Sequence, residues 1–145
     1  GVRSAEDIKK QIGCAVQRNE EIVMVAKGRS AKDGMPKTIE ITSNEIYHCL
    51  KPLLSEIVAA AEVIFARTSP QLVADIVNSG IILTGGSAEL YGMDELFKNE
   101  MELDVTIAPQ PNLCVAKGAS VALDKMRILD SYGYRFQTKE EVRIR

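Results

Sequence analysis

The second half of the sequence alternates strand-forming and helix-forming segments. Residues 81–84 form an apolar run, residues 93–101 have a helical pattern, and residues 104–108 read as a second strand. A last helix is predicted to begin at Asn112, as its N-cap, and to run to about residue 129. This order of elements predicts an α/β fold whose parallel sheet is covered by helices on both faces.

The first half predicts a smaller antiparallel unit. Strand formers cluster at 21–25 and 37–41, a polar loop with two glycines and a proline separates them, and an earlier strand is predicted near residues 14–16. Two or three short strands cannot bury a core alone, so this unit is expected to depend on neighbouring elements.

A long amphipathic helix follows the antiparallel unit. Thr42 and Glu45 have the spacing of a capping box, and apolar residues then recur every three or four positions as far as Phe65. Pro52 lies inside this pattern and predicts a kink or a first break near Leu50, because proline removes a helical hydrogen bond.

Composition excludes several classes of function. The 145 residues carry 18 Lys and Arg against 20 Asp and Glu, a net charge of −2, so a nucleic-acid footprint is not expected. Three widely spaced cysteines (Cys14, Cys49 and Cys114) and one histidine, His48, match no zinc site or disulfide framework and suit reduced thiols in the cytosol. No catalytic constellation and no metal site follow from the residues.

The sharpest local feature is a strand that runs directly into two glycines. Gly85 and Gly86 follow the apolar run and precede Ser87, so the backbone can turn tightly and approach a ligand. An ordinary strand-to-helix turn would show the same residues. Neither the dinucleotide fingerprint nor the phosphate loop is present, so a bound nucleotide would be held at its nucleoside end.

Two further positions are candidates for binding or packing. Glu6 and Lys9 are spaced i, i+3 on the first helix, so they share a face and could hydrogen-bond a ribose or form a surface ion pair. Gly118 lies in the middle of the last predicted helix, where a glycine indicates close approach to the sheet.

Four segments in this order closely resemble the MreB/Mbl family of bacterial actin-like proteins. The resemblance extends to about residue 129 and covers only the carboxy-terminal half of that family's chain. The segments that carry it are residues 5–13, 42–46, 82–90 and 114–119.

The resemblance implies an α/β, actin-like (ribonuclease H-like) ATPase half, with a parallel or mixed sheet flanked by helices and a small α+β subdomain inserted. Residues 1–13 would form a helix that lines the nucleotide cleft, residues 14–66 the small subdomain, and residues 67–129 part of the large subdomain. Residues 130–145 would form a polar tail that does not match the family.

The resemblance also implies an ATP site. Glu6 and Lys9 match the family residues that contact ribose and adenine, and Gly85, Gly86 and Ser87 match its glycine-rich adenosine motif. Ser87 stands where the family commonly has a third glycine. The family's phosphate loops, magnesium-binding and catalytic acidic residues, and membrane-inserting segment would lie upstream of Gly1, so the missing half would hold Mg²⁺ and this chain alone is expected not to hydrolyse ATP.

The expected function is therefore that of a fragment of a cytoskeletal ATPase. The full protein would polymerise into filaments at the cytoplasmic face of the cell membrane, would bind its own copies and the cell-wall elongation machinery, and would direct cell-wall synthesis and rod shape. Its membrane contact would come from the missing half, and nucleic acid is not an expected partner. Two alternatives stay open: the ATPase region of a DnaK-type chaperone, and a protein-interaction domain that needs no nucleotide.

Overall fold

The computed structural model describes residues 1–135 and 137, so most of the predicted tail at 130–145 lies outside the described residues. The chain divides into two compact units, residues 1–112 and residues 113–145. The boundaries predicted at residues 13, 66 and 129 stay predictions. The elements are α1 (Val2–Ile12), β1 (Val23–Arg29), β2 (Pro36–Thr42), α2 (Ser43–Arg67), α3 (Pro70–Ser79), β3 (Ile81–Leu83), α4 (Met93–Met101), β4 (Val105–Ile107), α5 (Cys114–Asp124) and α6 (Met126–Ser131), with 3₁₀ turns at Gly86–Glu89 and Pro111–Leu113.

Helix α2 begins at the capping box that its sequence predicts. The Thr42 hydroxyl accepts a hydrogen bond from the Glu45 backbone N–H at 3.2 Å, and the Glu45 carboxylate accepts one from the Thr42 N–H at 2.8 Å. Of the kink or break predicted near Leu50, the break is wrong, because the helix runs uninterrupted past Pro52 to Arg67, and the kink stays a prediction. Pro52 is exposed, while Leu54 beyond it is buried, so core packing holds the helix together across the lost hydrogen bond.

Loss of the capping box should weaken the chain measurably. Replacement of Thr42 by alanine is expected to lower the free energy of unfolding by about 1 kcal/mol, since the Glu45 N–H loses its acceptor. Ser69, the N-cap of α3, is a matched control because its side chain makes no capping hydrogen bond. Urea unfolding followed by circular dichroism should show a smaller loss for Ser69→Ala, and equal losses would contradict the role of the box.

The antiparallel unit is a two-stranded hairpin. Strand β1 pairs with β2 in a register that runs from Val23 opposite Thr42 to Arg29 opposite Pro36. The strand predicted near residues 14–16 is wrong: Cys14 forms only an isolated parallel bridge, to Tyr91. Cys14 and its neighbour Ala15 are almost fully buried, so this stretch packs between other elements and extends no ladder.

The parallel pairing predicted for the second half is confirmed. Strands β3 and β4 pair in parallel over three residues each, and α4 connects them. One face of the pair bears the core, whereas Ile82 on the other face is 67% exposed. Among the described residues the parallel sheet has only these two strands, and the prediction that helices cover both of its faces stays a prediction.

The core of the first unit is small and draws on several elements. In this core α2 packs against α4, β4 and the segment that follows α1. Its buried members are Ala15, Leu54, Val58, Met93, Phe97 and Val105.

The described part of the second unit contains two helices, where the sequence predicts one. Helix α5 begins at Cys114 without a cap from Asn112, which lies within a 3₁₀ turn. Lys125, at φ −104° and ψ 19°, leaves the helical region and separates α5 from α6. A Cβ built at Gly118 meets no atom within 4 Å, so nothing in this unit requires a glycine there, and its predicted approach to the sheet stays a prediction.

Candidate functional site

An open cleft of about 720 Å³ lies within the first unit. Helix α1 forms one wall, α2 forms a second, and residues 86–91 form a third. Four of the five predicted binding residues line this cleft: Glu6, Lys9, Gly86 and Ser87. Residues 80 positions apart in the sequence therefore meet at one site, whereas Gly85 is not among the residues that line it.

Helix α1 places Glu6 and Lys9 on one face, as their spacing predicts. The Lys9 ammonium lies 2.6 Å from one Glu6 carboxylate oxygen, and the Lys10 ammonium lies 3.6 Å from the other. The hydrogen bond from Lys9 is the main cause that holds the pKa of Glu6 below its ordinary value. Glu6 is thus an ionised hydrogen-bond acceptor, held in place at the cleft wall and still accessible to solvent.

Glycine stands at the two positions of the turn for different physical reasons. Gly85 adopts φ 88° and ψ 166°, a backbone conformation that is essentially restricted to glycine. Its N–H donates to the Pro111 carbonyl at 2.8 Å, which fixes the turn. Gly86 has no such strain, and a Cβ there would meet nothing within 4 Å. The absence of a side chain at Gly86 leaves the backbone open toward the cleft.

The wall from α2 is apolar. Leu50, Leu53, Leu54 and Ile57 line the cleft opposite the charged residues of α1. A cleft with one apolar wall and a few placed polar groups suits a ligand that has a flat apolar part and a hydroxyl-bearing part.

Sequence reasoning missed a segment that ties the walls of the cleft together, residues 12–18, here named the junction segment. Ala15 donates its N–H to the Tyr91 carbonyl at 2.7 Å, and the Cys14 thiol contacts the Ser43 carbonyl at 3.4 Å. Gly92 has φ +73°, and a Cβ there would lie 2.3 Å from the Val16 methyl carbon. The three short apolar residues 14–16 gave only a strand signal, because their partners are distant in sequence.

Arg18, at the end of the junction segment, was also missed. Its guanidinium carbon lies 3.7 Å from the centre of the Tyr91 ring, and both residues line the cleft. The sequence shows an arginine in a polar turn and a tyrosine after the glycine motif, with no local pattern that connects them.

Within the described residues, no group of three or more His, Cys, Asp or Glu side chains could hold a metal ion. No helix in that same part of the chain has the length and apolar character needed to cross a membrane.

The family model of the MreB/Mbl protein matches residues 1–131. The chain belongs to the MreB/Mbl family. It is 41% identical over 128 residues to the cell shape-determining protein Mbl of Bacillus subtilis, covering 87% of this chain and 38% of that protein. It is 36% identical over 133 residues to the cell shape-determining protein MreB of Escherichia coli, covering 92% of this chain and 38% of that one. This MreB/Mbl chain thus spans well under half the length of these relatives.

Solved structures show that the MreB/Mbl chain has an actin-like fold. MreB5 of Spiroplasma citri bound to ADP superimposes with a TM-score of 0.82 at 32% identity, over 87% of this chain and 38% of that one. The same protein bound to AMPPNP gives 0.83 at 31% identity, over 92% and 40%. A MamK double helical filament matches at 20% identity with a TM-score of 0.62 and supports the fold alone.

The predicted family and fold class are therefore confirmed. Membership in the MreB/Mbl family also decides against the DnaK-type chaperone, since the family model covers nearly all of the described residues. The roles of Glu6, Lys9, Gly85, Gly86 and Ser87 in binding stay predictions.

Proposed function

We propose that this chain is the nucleoside-binding part of an ATP-binding actin-like protein that polymerises into membrane-associated filaments and directs cell-wall synthesis and rod shape. Family membership supports a cytoskeletal role in cell shape. MreB5, with which the chain shares its fold at 32% identity, was crystallised with ADP.

One observation carries the proposal. Glu6, Lys9, Gly86 and Ser87, which come from two distant parts of the sequence, line the same cleft. As a lone surface ion pair, Glu6 and Lys9 would need no glycine turn opposite them. If Glu6 and Lys9 bind a ligand, the open backbone of the glycine turn across the cleft leaves room for that ligand beside them.

The residues present fit the adenosine part of ATP. The Glu6 carboxylate would accept hydrogen bonds from the ribose hydroxyls, and Lys9 would hold that carboxylate in place while it reaches toward the base. The Gly86 and Ser87 backbone would pass close to the nucleoside, and the leucines of α2 would cover an apolar face of it. ATP, when bound, would supply the phosphoryl groups whose hydrolysis changes the filament.

Other parts of the function belong to the longer protein. Phosphate contacts, Mg²⁺ and catalysis would come from residues outside this chain, which is proposed to be inactive as an ATPase by itself. Contacts with further copies, with the cell-wall elongation machinery and with the inner face of the cytoplasmic membrane are proposed on the basis of the family.

Adenosine binding tests the proposal directly. Saturation-transfer NMR on the full chain should show contact with adenosine, and Glu6→Gln should weaken the affinity about fivefold to tenfold, the loss of a charge-assisted hydrogen bond. Glu56→Gln is the matched control, since Glu56 is an exposed glutamate on α2 outside the cleft. The control should bind adenosine as the unchanged chain does.

The remaining alternative is a protein-interaction domain that needs no nucleotide. It predicts no adenosine signal at millimolar ligand and no difference between the two glutamate variants. That pair of results would overturn the proposed nucleoside site.

A further inference from the structure

We propose that Gln110 is a positioning residue of the nucleoside site: its left-handed backbone sets the Pro111 carbonyl against the Gly85 N–H and thereby fixes the glycine turn. Gln110 is exposed and does not line the cleft, so it would act through the backbone and without touching the ligand. The inference rests on the proposed function, since the turn that Gln110 fixes leads into one wall of the proposed site.

The glycine turn is held by a hydrogen bond that departs from the parallel ladder. Beyond the last paired residues of β3 and β4, the Ala108 N–H still donates to the Leu83 carbonyl at 3.0 Å. Because the bonds of a parallel ladder are evenly spaced, the next donor, the Gly85 N–H, would then meet the Ala108 carbonyl. It donates instead to the Pro111 carbonyl, at 2.8 Å. The segment 109–111 therefore replaces the ladder where the glycine turn begins.

Two prolines concentrate the change of chain direction in Gln110. The proline ring holds φ at about −65°, so Pro109 and Pro111 cannot turn about that bond. Gln110 stands between them with φ 51°, a backbone angle that costs free energy for a residue with a side chain. Pro111 is buried, so its ring is held by packing. The adjustable φ of this segment is thus that of Gln110, and it decides where the Pro111 carbonyl lies.

Among the described residues, Glu102 is the other non-glycine residue with a positive φ, and its conformation has an ordinary cause. It ends α4 at φ 53° and ψ 34°, and its N–H donates to the Lys98 carbonyl at 3.0 Å. Helices commonly end in this way. Gln110 ends no helix, because it lies between β4 and a 3₁₀ turn. The bond from Gly85 to Pro111 supplies the structural reason for its strain, since strained residues persist where their surroundings over-determine them.

Loss of this bond would release the turn. Gly85 has no side chain to pack, and a Cβ there would meet nothing within 4 Å, so its backbone bonds hold it in place. They run from its N–H to Pro111 and from the Ala88 N–H to its carbonyl, the second at 3.2 Å. Gly86 and Ser87, which line the cleft, lie between these two anchors. A ligand that binds only the ordered turn loses affinity in proportion to the fraction of chains that have it.

Substitutions of Gln110 test the assignment through its backbone. Gln110→Val should weaken adenosine binding by the full chain about tenfold, because a β-branched residue resists a positive φ. Gln110→Ala should weaken it about threefold, and Gln110→Gly, which adopts this angle freely, should keep the affinity within about twofold. Saturation-transfer NMR titrations compare the three variants, and alanine against glycine decides the matter if the valine variant fails to fold.

The Gly85 amide gives a second readout, which needs no ligand. In the unchanged chain its proton should exchange slowly with deuterated solvent, since it is hydrogen-bonded. Gln110→Val should speed this exchange about tenfold, and Gln110→Gly should not.

Glu102→Val is the matched control, because it strains the other left-handed residue at a place outside the cleft. It should lower the melting temperature and leave both the Gly85 exchange and the adenosine affinity as they are in the unchanged chain. Equal losses of affinity in Gln110→Val and Glu102→Val would mean that a general loss of stability is responsible, and would overturn the inference.

The remaining outcomes separate this inference from the proposed function. If the unchanged chain binds adenosine and the valine and alanine variants bind it equally well, the nucleoside site stands and the role of Gln110 is refuted. If Gln110→Gly binds as weakly as Gln110→Val, the side chain matters instead of the backbone, and the inference is again refuted. If the unchanged chain gives no adenosine signal, the proposed site fails and the inference fails with it.

Discussion

Replacement of Leu54 by alanine should lower the free energy of unfolding by about 3 kcal/mol, within the usual range for a buried leucine. Leu54 is 7% exposed and belongs to the core that joins α2 to α4 and β4. The loss combines the transfer of apolar atoms with the cavity left among Ala15, Phe97 and their neighbours. Since a domain of this size is typically stable by about 5–15 kcal/mol, the change should be large in a urea titration.

The neighbouring leucine provides the control. Leu53 is 57% exposed, one position before Leu54 on the same helix. Leu53→Ala should change the free energy of unfolding by less than about 0.5 kcal/mol, as surface substitutions usually do. Similar losses for the two variants would mean that α2 packs by a different face from the one described.

Substitution of Gly80 by alanine should lower the free energy of unfolding by about as much as Leu54→Ala does, for a different reason. Gly80 ends α3 at φ 75° and ψ −173°, a conformation essentially restricted to glycine. A Cβ there would lie 2.6 Å from the Asp104 carbonyl oxygen. That oxygen accepts the Ile81 N–H at 2.7 Å, so its displacement would disturb the pairing of β3 with β4. We expect a loss of about 3 kcal/mol from strain and displacement together.

Gly28 is the matched control for Gly80. It lies in β1 at an ordinary backbone angle, and a Cβ there meets nothing within 4 Å. Gly28→Ala should therefore stabilise the chain slightly, by about 0.5 kcal/mol, because the unfolded state loses freedom. Thermal unfolding of the two variants should move in opposite directions, and a Gly80 variant that melts like the unchanged chain would refute the described turn.

Features set by neighbours in sequence could be predicted. The capping box at Thr42 depends on residues three positions apart, and the helix predicted at 93–101 has those bounds in the structure. The same holds for the i, i+3 contact of Glu6 with Lys9. In each case the partners are fixed by local helical geometry, so the pattern alone determines the contact.

Features set by distant partners could not be predicted. Cys14 and Ala15 read as a strand, yet Tyr91 and Ser43 determine their place. Pro52 reads as a break, yet the burial of Leu54 keeps α2 continuous. The stack of Arg18 on Tyr91 spans 73 positions and leaves no trace in the spacing of residues. Family resemblance supplied the candidate ligand residues but is silent on this pair.

Because Cys14 is buried, the rate at which its thiol reacts can report how often the junction segment opens. Its side chain is fully covered and burial raises the pKa of its thiol, whereas Cys49 is exposed. An alkylating reagent therefore modifies Cys49 without any rearrangement, but reaches Cys14 only in those moments when the segment separates from Ser43 and Tyr91. Cys114 is half-buried, so the slowest of the three additions of mass, the one at Cys14, measures how often the walls of the cleft separate.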